Sequence, residues 1–340
     1  MTALVRAAAL TNFSEVVSEL GCDPDALLRQ AGFSAQVLRH PDHLIDAIRA
    51  GRVLEDAARA SGCESVGLRM AARRQLSNFG VIGLLLMHQP TLREVLLTLV
   101  EHLHLLNERL AIHVEEQGPL VILREELVTP APGTQSIELA IGVLYRMGEA
   151  LLGERWRPIS ANFVHRAPAS TEFHRHFFKC RVEFDAAFNG LVCRAEDLDV
   201  ANPGADPRLA DYARRMLAAE SPSHQRSMEQ VVRKAIYLML PVGRANCKAI
   251  AQGLGWSVRT LQRALDAEGV TFKQLLNEVR RDLAGRYLSN PRHSLGDIAA
   301  MLGYSSQSAF TRWFGAQFGC PPELWRRNGT ASLHHPDKPR

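Results

Sequence analysis

The chain has 340 residues, 46% of them hydrophobic and 22% charged, with a formal net charge of +4. At about 100–200 residues per domain this length predicts two domains or three. The ordinary composition excludes a disordered chain, a collagen-like repeat and a coiled-coil rod.

Apolar runs such as Val81–Met87 are far shorter than the roughly twenty residues a spanning helix needs. Arg6 interrupts the short apolar stretch at the start, where a secretory leader wants a longer unbroken core. A cytoplasmic protein with no membrane span is expected. Six cysteines, Cys22, Cys63, Cys180, Cys193, Cys247 and Cys320, form no C-x-x-C pair and no zinc-ligand array. Scattered singly, they suit a reducing compartment and read as small buried side chains.

The net charge hides an asymmetry. Residues 221–340 hold 17 Lys and Arg against 8 Asp and Glu, a balance of +9. Residues 1–220 hold 23 against 28, a balance of −5. A basic domain beside an acidic one is the pattern of a polyanion binder.

In chain order, residues 1–110 read as mostly helical. Val16, Val17 and Leu20 recur at helical spacing, as do Leu84, Leu85, Met87 and His88, then Leu92, Val95, Leu96, Leu99 and Leu103. Pro90-Thr91 ends one helix and caps the next. The 92–106 stripe is also a face that a second copy could cover. Residues 111–116 and 120–126 alternate around Gln117-Gly118-Pro119 and predict a hairpin. A helix over 135–152, a strand over 159–165 and a helix over 172–178 follow. Segments 182–184 and 190–194 flank Asn189-Gly190, a second hairpin signal. Residues 202–207, Asn-Pro-Gly-Ala-Asp-Pro, are the weakest stretch for packed structure. A helix over 208–219 leads to a boundary placed in 221–226. The first domain, 1–220, is therefore expected to be α+β, helices first with a small antiparallel sheet behind them.

The second domain, 221–327, reads as all-α. Helices are expected over 228–240, stopped by Pro241, over 248–254, ended by Gly255, and over 258–267, capped by Ser257. Thr271 caps a longer helix to about 288, closed by Pro291, with Phe272, Leu275, Leu276, Val279, Leu283 and Tyr287 on one face. Helices over 297–302 and 307–318 complete the set, and 328–340 reads as a flexible tail.

Two stretches of this domain repeat each other. Ile250-Ala251-Gln252-Gly253-Leu254-Gly255-Trp256-Ser257 matches Ile298-Ala299-Ala300-Met301-Leu302-Gly303-Tyr304-Ser305 at an offset of 48, and Arg263 matches Arg312 at an offset of 49. The pattern suits a helix-turn-helix. The alanine lets two helices approach, the glycine takes the turn, the aromatic can plug the corner and a serine caps the next helix. That helix then projects polar side chains where base edges would lie. In the first copy these are Ser257, Arg259, Thr260, Gln262 and Arg263, and in the second Ser306, Gln307, Ser308, Thr311 and Arg312. Arg, Gln and Ser are side chains that read bases and hold phosphates. One such unit alone is also compatible with a plain helical hairpin. Two, in a basic domain and joined by a long helix, point to DNA.

Residues 225–327 resemble the DNA-binding domain of AraC/XylS-family transcriptional regulators. The most specific matches run over 257–265 and 297–310, with Phe318-Gly319-Cys320-Pro321-Pro322 in the tail and Trp325 where the family usually has Tyr. The resemblance implies two helix-turn-helix units in adjacent major-groove segments on one face of the duplex. Its base-contact positions fall on Arg259, Gln262 and Arg263, then Gln307, Ser308 and Arg312. Residues 13–217 resemble the sensor domain of the branch that includes ornithine-utilisation regulators. The matching pieces are Asn78-Phe79-Gly80-Val81-Ile82-Gly83, Pro90-Thr91-Leu92-Arg93-Glu94, residues 152–158, His165-Arg166-Ala167-Pro168 and residues 202–207. This differs from the cupin-like barrel of the sugar sensors, which a helical first 110 residues would not fit.

Other signals are set aside. His102 with His104, and His174 with His176, stand at i, i+2 on helices, which turns the rings apart, so surface or partly buried histidines are expected and no metal site. Glu115-Glu116 and Glu125-Glu126 flank a hairpin, where alternation puts one of each pair in solvent, so no catalytic dyad is expected. No phosphate-binding, dinucleotide or nucleophile-elbow motif is present. The alkyl-accepting cysteine that some proteins join to this DNA-binding domain needs a Pro-Cys-His-Arg setting, which is absent.

The expectation is a ligand-responsive transcription activator with no enzymatic activity and no cofactor. Its partners would be double-stranded promoter DNA, RNA polymerase, a small-molecule effector and a second copy of itself. The residues do not single out an effector pocket. The alternative is an architectural DNA binder whose first domain only dimerises.

Overall fold

The computed structural model describes residues 3–128, 133–220, 227–290 and 293–328. The expected boundary segment 221–226, Pro291 and residues 329–340 of the expected tail lie outside the described residues. The chain divides into two compact units, residues 1–225 and 226–340.

The first unit begins with strand β1 (Leu4–Arg6), a 3₁₀ turn and helices α1 (Phe13–Glu19) and α2 (Pro24–Gln30). Strand β2 (Leu44–Asp46) pairs antiparallel with β1. This ribbon lies inside the stretch read as helical, because three-residue strands are too short to show an alternation. Asp46 caps helix α3 (Ala47–Ser61), accepting from the Ile48 and Arg49 amides at 2.8 and 2.9 Å. Helices α4 (Val66–Ala72), α5 (Val81–Met87) and α6 (Leu92–Leu106) follow, and the Thr91 hydroxyl caps α6. Leu92, Val95, Leu96, Leu99, Leu103 and Leu106 of α6 are all buried in the unit's own core. The stripe expected as a face for a second copy is therefore filled from within.

A five-stranded sheet stands behind these helices, formed by β3 (Leu110–Gln117), β4 (Leu120–Leu127), β5 (Ser160–Asn162), β6 (Arg181–Glu183) and β7 (Gly190–Arg194) in the order β3-β4-β7-β5-β6. The first hairpin forms as expected, closed at the Gln117–Leu120 pair. The second does not. Strand β6 runs parallel to β5, and β7 pairs antiparallel with β4 and β5 instead. Asn189-Gly190 marks a strand entry rather than a turn: the Asn189 carbonyl accepts from Glu125 N at 2.9 Å, and a Cβ at Gly190 would stand 2.0 Å from the Leu123 oxygen. The expected 159–165 strand shortens to Ser160–Asn162, and the fully buried Phe163 follows it.

Helix α7 (Thr134–Leu152) packs on α3, α4 and β4, and α8 (Glu172–Phe178), α9 (Ala195–Leu198) and α10 (Pro207–Glu220) close the unit. The 202–207 stretch is held firmly, contrary to its composition. The buried Asn202 donates to the carbonyls of Met87 and Gln89 at 2.8 and 2.9 Å and accepts from Gly204 N. All six cysteines are free thiols; Cys193 is buried and the other five are half-buried.

The second unit is helical throughout its described residues: α11 (Met228–Met239), α12 (Cys247–Gly253), α13 (Val258–Ala267), α14 (Phe272–Ser289), α15 (Leu295–Met301), α16 (Gln307–Phe318) and α17 (Pro322–Asn328). Helix α14 is the axis, packed on α11, α15 and α17, and it buries Leu275, Val279, Leu283 and Tyr287. The buried Tyr237 of α11 donates its hydroxyl to Asp282 of α14. Helix α17 goes beyond the expected set. Pro322 opens it, since proline is at home in a first turn, and Trp325 then packs edge-on to Phe314 and Phe318. No helix among the described residues is long and apolar enough to cross a membrane.

Candidate nucleic-acid interface and an internal cavity

The two repeats fold into two matching helix-turn-helix units, α12–α13 and α15–α16. In each, the small residue is buried, Ala251 at 0% and Ala299 at 1% exposure. Gly255 and Gly303 both take φ +70°, a conformation that only glycine adopts without strain. The next residue then donates back to the buried alanine's carbonyl, Trp256 N to Ala251 O and Tyr304 N to Ala299 O, each at 2.8 Å.

The turns differ in their plug. Tyr304 is half-buried, stacked among Phe310 and Trp313. Trp256 is 36% exposed, so the expectation that it fills its corner is not met.

Ser257 caps α13 by accepting from Thr260 N at 3.1 Å, and its hydroxyl is 2.8 Å from that of Thr260. Ser306 caps α16 by accepting from Ala309 N at 3.2 Å. These three hydroxyls are engaged in building the helix starts. Buried Leu261 and Leu265 anchor α13, and Phe310 and Phe314 anchor α16. On the opposite faces Arg259, Gln262 and Arg263 are exposed at i, i+3, i+4 spacing. Ser308, Thr311 and Arg312 repeat that spacing, with Thr311 half-buried and Gln307 exposed beside them. Among the described residues Arg259, Arg263 and Arg312 form no ion pair, which leaves three guanidinium groups directed at solvent.

The first unit holds a partly open cavity of ≈ 150 Å³ between the sheet and helices α3, α6 and α7. No residue of it is singled out by the sequence. Its wall is overwhelmingly apolar, with Glu125 of β4 and the buried Arg74 and Arg109 among the exceptions. Glu125 and Glu126 are 1% and 7% exposed, against the expectation that alternation leaves one in solvent. Burial pushes the Glu125 carboxyl up to about 8. Arg74 donates through both terminal nitrogens to the carbonyls of Ala8 and Ala9, and burial lowers it to about 10.

A second buried polar group lies apart from the cavity. His174 is fully buried with Nε2 2.9 Å from Glu138 Oε1, which corrects its reading as a surface or partly buried histidine. His165 Nε2 is 3.4 Å from the same oxygen. Burial holds His165 below its usual range. Among the described residues no group of three or more His, Cys, Asp and Glu is arranged to hold a metal ion.

A two-unit chain with paired helix-turn-helix motifs and a separate sensor fold defines a DNA-binding transcriptional regulator. Residues 21–202 match the family described as the arabinose-binding domain of AraC transcription regulator, N-term, and residues 250–328 match a helix-turn-helix domain. The chain is 30% identical over 334 residues to the HTH-type transcriptional regulator VirS of Mycobacterium tuberculosis, covering 97% of this chain and 98% of that one. It is 24% identical over 318 residues to the ornithine utilization regulator of Pseudomonas aeruginosa, covering 92% and 93%. Among solved structures it is similar to the transcriptional regulator CdpR of Pseudomonas aeruginosa, with a TM-score of 0.43 and 18% identity over 89% and 96% of the two chains. The chain belongs to the AraC family of helix-turn-helix transcriptional regulators, with an arabinose-binding-like sensor domain. Its relatives are regulators, a non-enzymatic family.

Proposed function

We propose that this protein is an effector-responsive activator. Residues 1–220 sense a small molecule and dimerise, and residues 221–327 read promoter DNA in two adjacent major-groove segments. The carrying observation is the pair of equivalent exposed faces, Arg259, Gln262 and Arg263 on α13 and Ser308, Thr311 and Arg312 on α16, in a unit with a balance of +9. Ser257, Thr260 and Ser306 set the helix starts against the backbone, and Gln307 adds a second amide beside Ser308. The cavity in the first unit is the effector site. An effector acts only through different affinities for two states of the protein, so its binding favours the arrangement that engages RNA polymerase. The protein works in the cytoplasm, beside the DNA.

The test is promoter binding by the full chain across a salt series, with and without candidate effectors. Counterion release gives a slope of log K on log salt of about −0.9 per phosphate contacted. Six or so contacts predict a fall of roughly a thousandfold between 50 and 200 mM salt. Affinity that ignores salt would sink the electrostatic part of this reading. Regulation that no small molecule alters would favour an architectural role instead.

A further inference from the structure

One carboxyl stands in an otherwise apolar part of the cavity wall. Glu125 lies directly opposite Ile112 in the β3–β4 ladder, and both face the cavity with Leu103 of α6 and Leu139 and Val143 of α7. Its Oε2 is buried without a hydrogen-bond partner. Buried polar atoms in folded proteins are nearly always paired, so one that borders a cavity is completed by what enters. The charged side chains that share the wall are all cationic: Arg6 from β1, Arg74 beyond α4 and Arg109 before β3.

Resting on the reading of this cavity as the effector site, we propose that the effector is a small uncharged molecule, apolar except for a carbonyl or hydroxyl oxygen, and that the carboxylic acid of Glu125 donates the hydrogen bond that holds this oxygen. The group is protonated at neutral pH because burial raises it, which makes it a donor. An ammonium ligand would face three guanidinium groups and would require Glu125 to ionise. A carboxylate ligand would lose its hydration, while both terminal nitrogens of Arg74 already donate to Ala8 and Ala9 and Arg6 is already paired with Asp42. A ketone, ester, aldehyde or alcohol meets neither penalty. A largely apolar cavity of about 150 Å³ takes a molecule of roughly benzene size.

Cyclohexane, cyclohexanone, cyclohexylamine and cyclohexanecarboxylate share one ring and differ in the group they present. Each is titrated against the full chain, with affinity read by ligand-observed NMR and melting temperature. Cyclohexanone should bind about tenfold tighter than cyclohexane, and the two charged compounds should bind weakest. Glu125→Leu should abolish the ketone's advantage while keeping cyclohexane binding. Glu125→Gln, whose amide still donates, should keep most of it. In the parent chain the advantage should fade as pH rises through about 8; this arm carries the test if Glu125→Leu does not fold. The proposal is overturned by equal binding of ketone and hydrocarbon, by preference for the amine or carboxylate, by no binding of any probe, or by an advantage that survives in Glu125→Leu or ignores pH. If the ketone binds as expected yet promoter affinity does not change, the ligand class stands and the effector reading fails.

Discussion

Arg280 and Tyr304 lock the second helix-turn-helix to α14, the helix that joins the two. The Arg280 guanidinium carbon lies 4.5 Å from the centroid of the Tyr304 ring. Its Nε donates to Leu302 O at 2.9 Å and its Nη2 to Gly303 O at 3.4 Å, which caps the end of α15 as well. The first helix-turn-helix has no such strut at the equivalent position, where Trp256 is exposed and, among the described residues, stacks on no ring. Arg280→Met should therefore destabilise the chain by about 2 kcal/mol, from a cation–π contact and charge-assisted bonds together. Trp256→Ala should cost under about 1 kcal/mol. Denaturant melts of both variants check the contrast, and equal losses would show that Tyr304 is no better anchored than Trp256.

Arg263 and Arg312 offer a test that separates base reading from phosphate holding. Arginine can give two parallel hydrogen bonds to guanine, worth about 1–3 kcal/mol per base pair discriminated, or grip a phosphate without sequence preference. Arg263 shares its exposed face with Arg259 and Gln262, whereas Arg312 has Ser308 and the half-buried Thr311, with Gln307 beside them. Arg263→Ala is expected to relax base preference in one half of the site, and Arg312→Ala to weaken binding with a smaller change in preference. Affinities for a panel of single-base-pair changes decide it. A uniform loss over all sequences for Arg263→Ala makes that residue a phosphate clamp.

Glu125 makes stability depend on pH. Its carboxyl ionises near 4.5 in an ordinary setting and near 8 in the fold. Between these values the folded chain keeps a proton that the unfolded chain has lost. Its stabilising contribution is therefore complete below about pH 4.5 and is lost as pH rises toward 8, by up to about 1.4 kcal/mol per pH unit. Glu125→Gln lacks this proton, so it should gain on the parent chain from pH 5 to 8 and run parallel to it above. Denaturant midpoints at several pH values test this. A difference constant across that window would mean that Glu125 is ionised in the fold.

Gly190 is a packing requirement of the sheet. A Cβ there would stand 2.0 Å from the Leu123 oxygen, and φ is +148°. Gly190→Ala should destabilise by about 3 kcal/mol, combining overpacking with backbone strain. Thermal denaturation measures it, and a loss under about 1 kcal/mol would mean that β4 and β7 can separate at little cost.

The second unit is largely legible in the sequence because its signals are local. Ser257 and Thr271 cap helices at the positions their spacing marks, Ser306 caps α16 one residue past the serine that matches Ser257, and Gly255 and Gly303 take the same left-handed turn. Each depends on neighbours within four residues, so the sequence by itself determines the paired helix-turn-helix architecture, its exposed polar helix faces and its family. The tertiary structure decides what depends on distant chain. Strand β4 is covered on both sides, by α7 and the cavity on one face and by Phe188 over Arg124 on the other, so alternation could not show that Glu125 and Glu126 are both buried. Asn189-Gly190 carries a hairpin signature, yet its role is set by Leu123, 67 positions earlier in the chain. Trp256 and Tyr304 occupy the same place in two matching repeats and differ because only Tyr304 has Arg280 beneath it. A cavity has no periodicity of its own. It exists where residues from β1, α3, α6, β3, β4 and α7 fail to meet, and only the packed chain shows that.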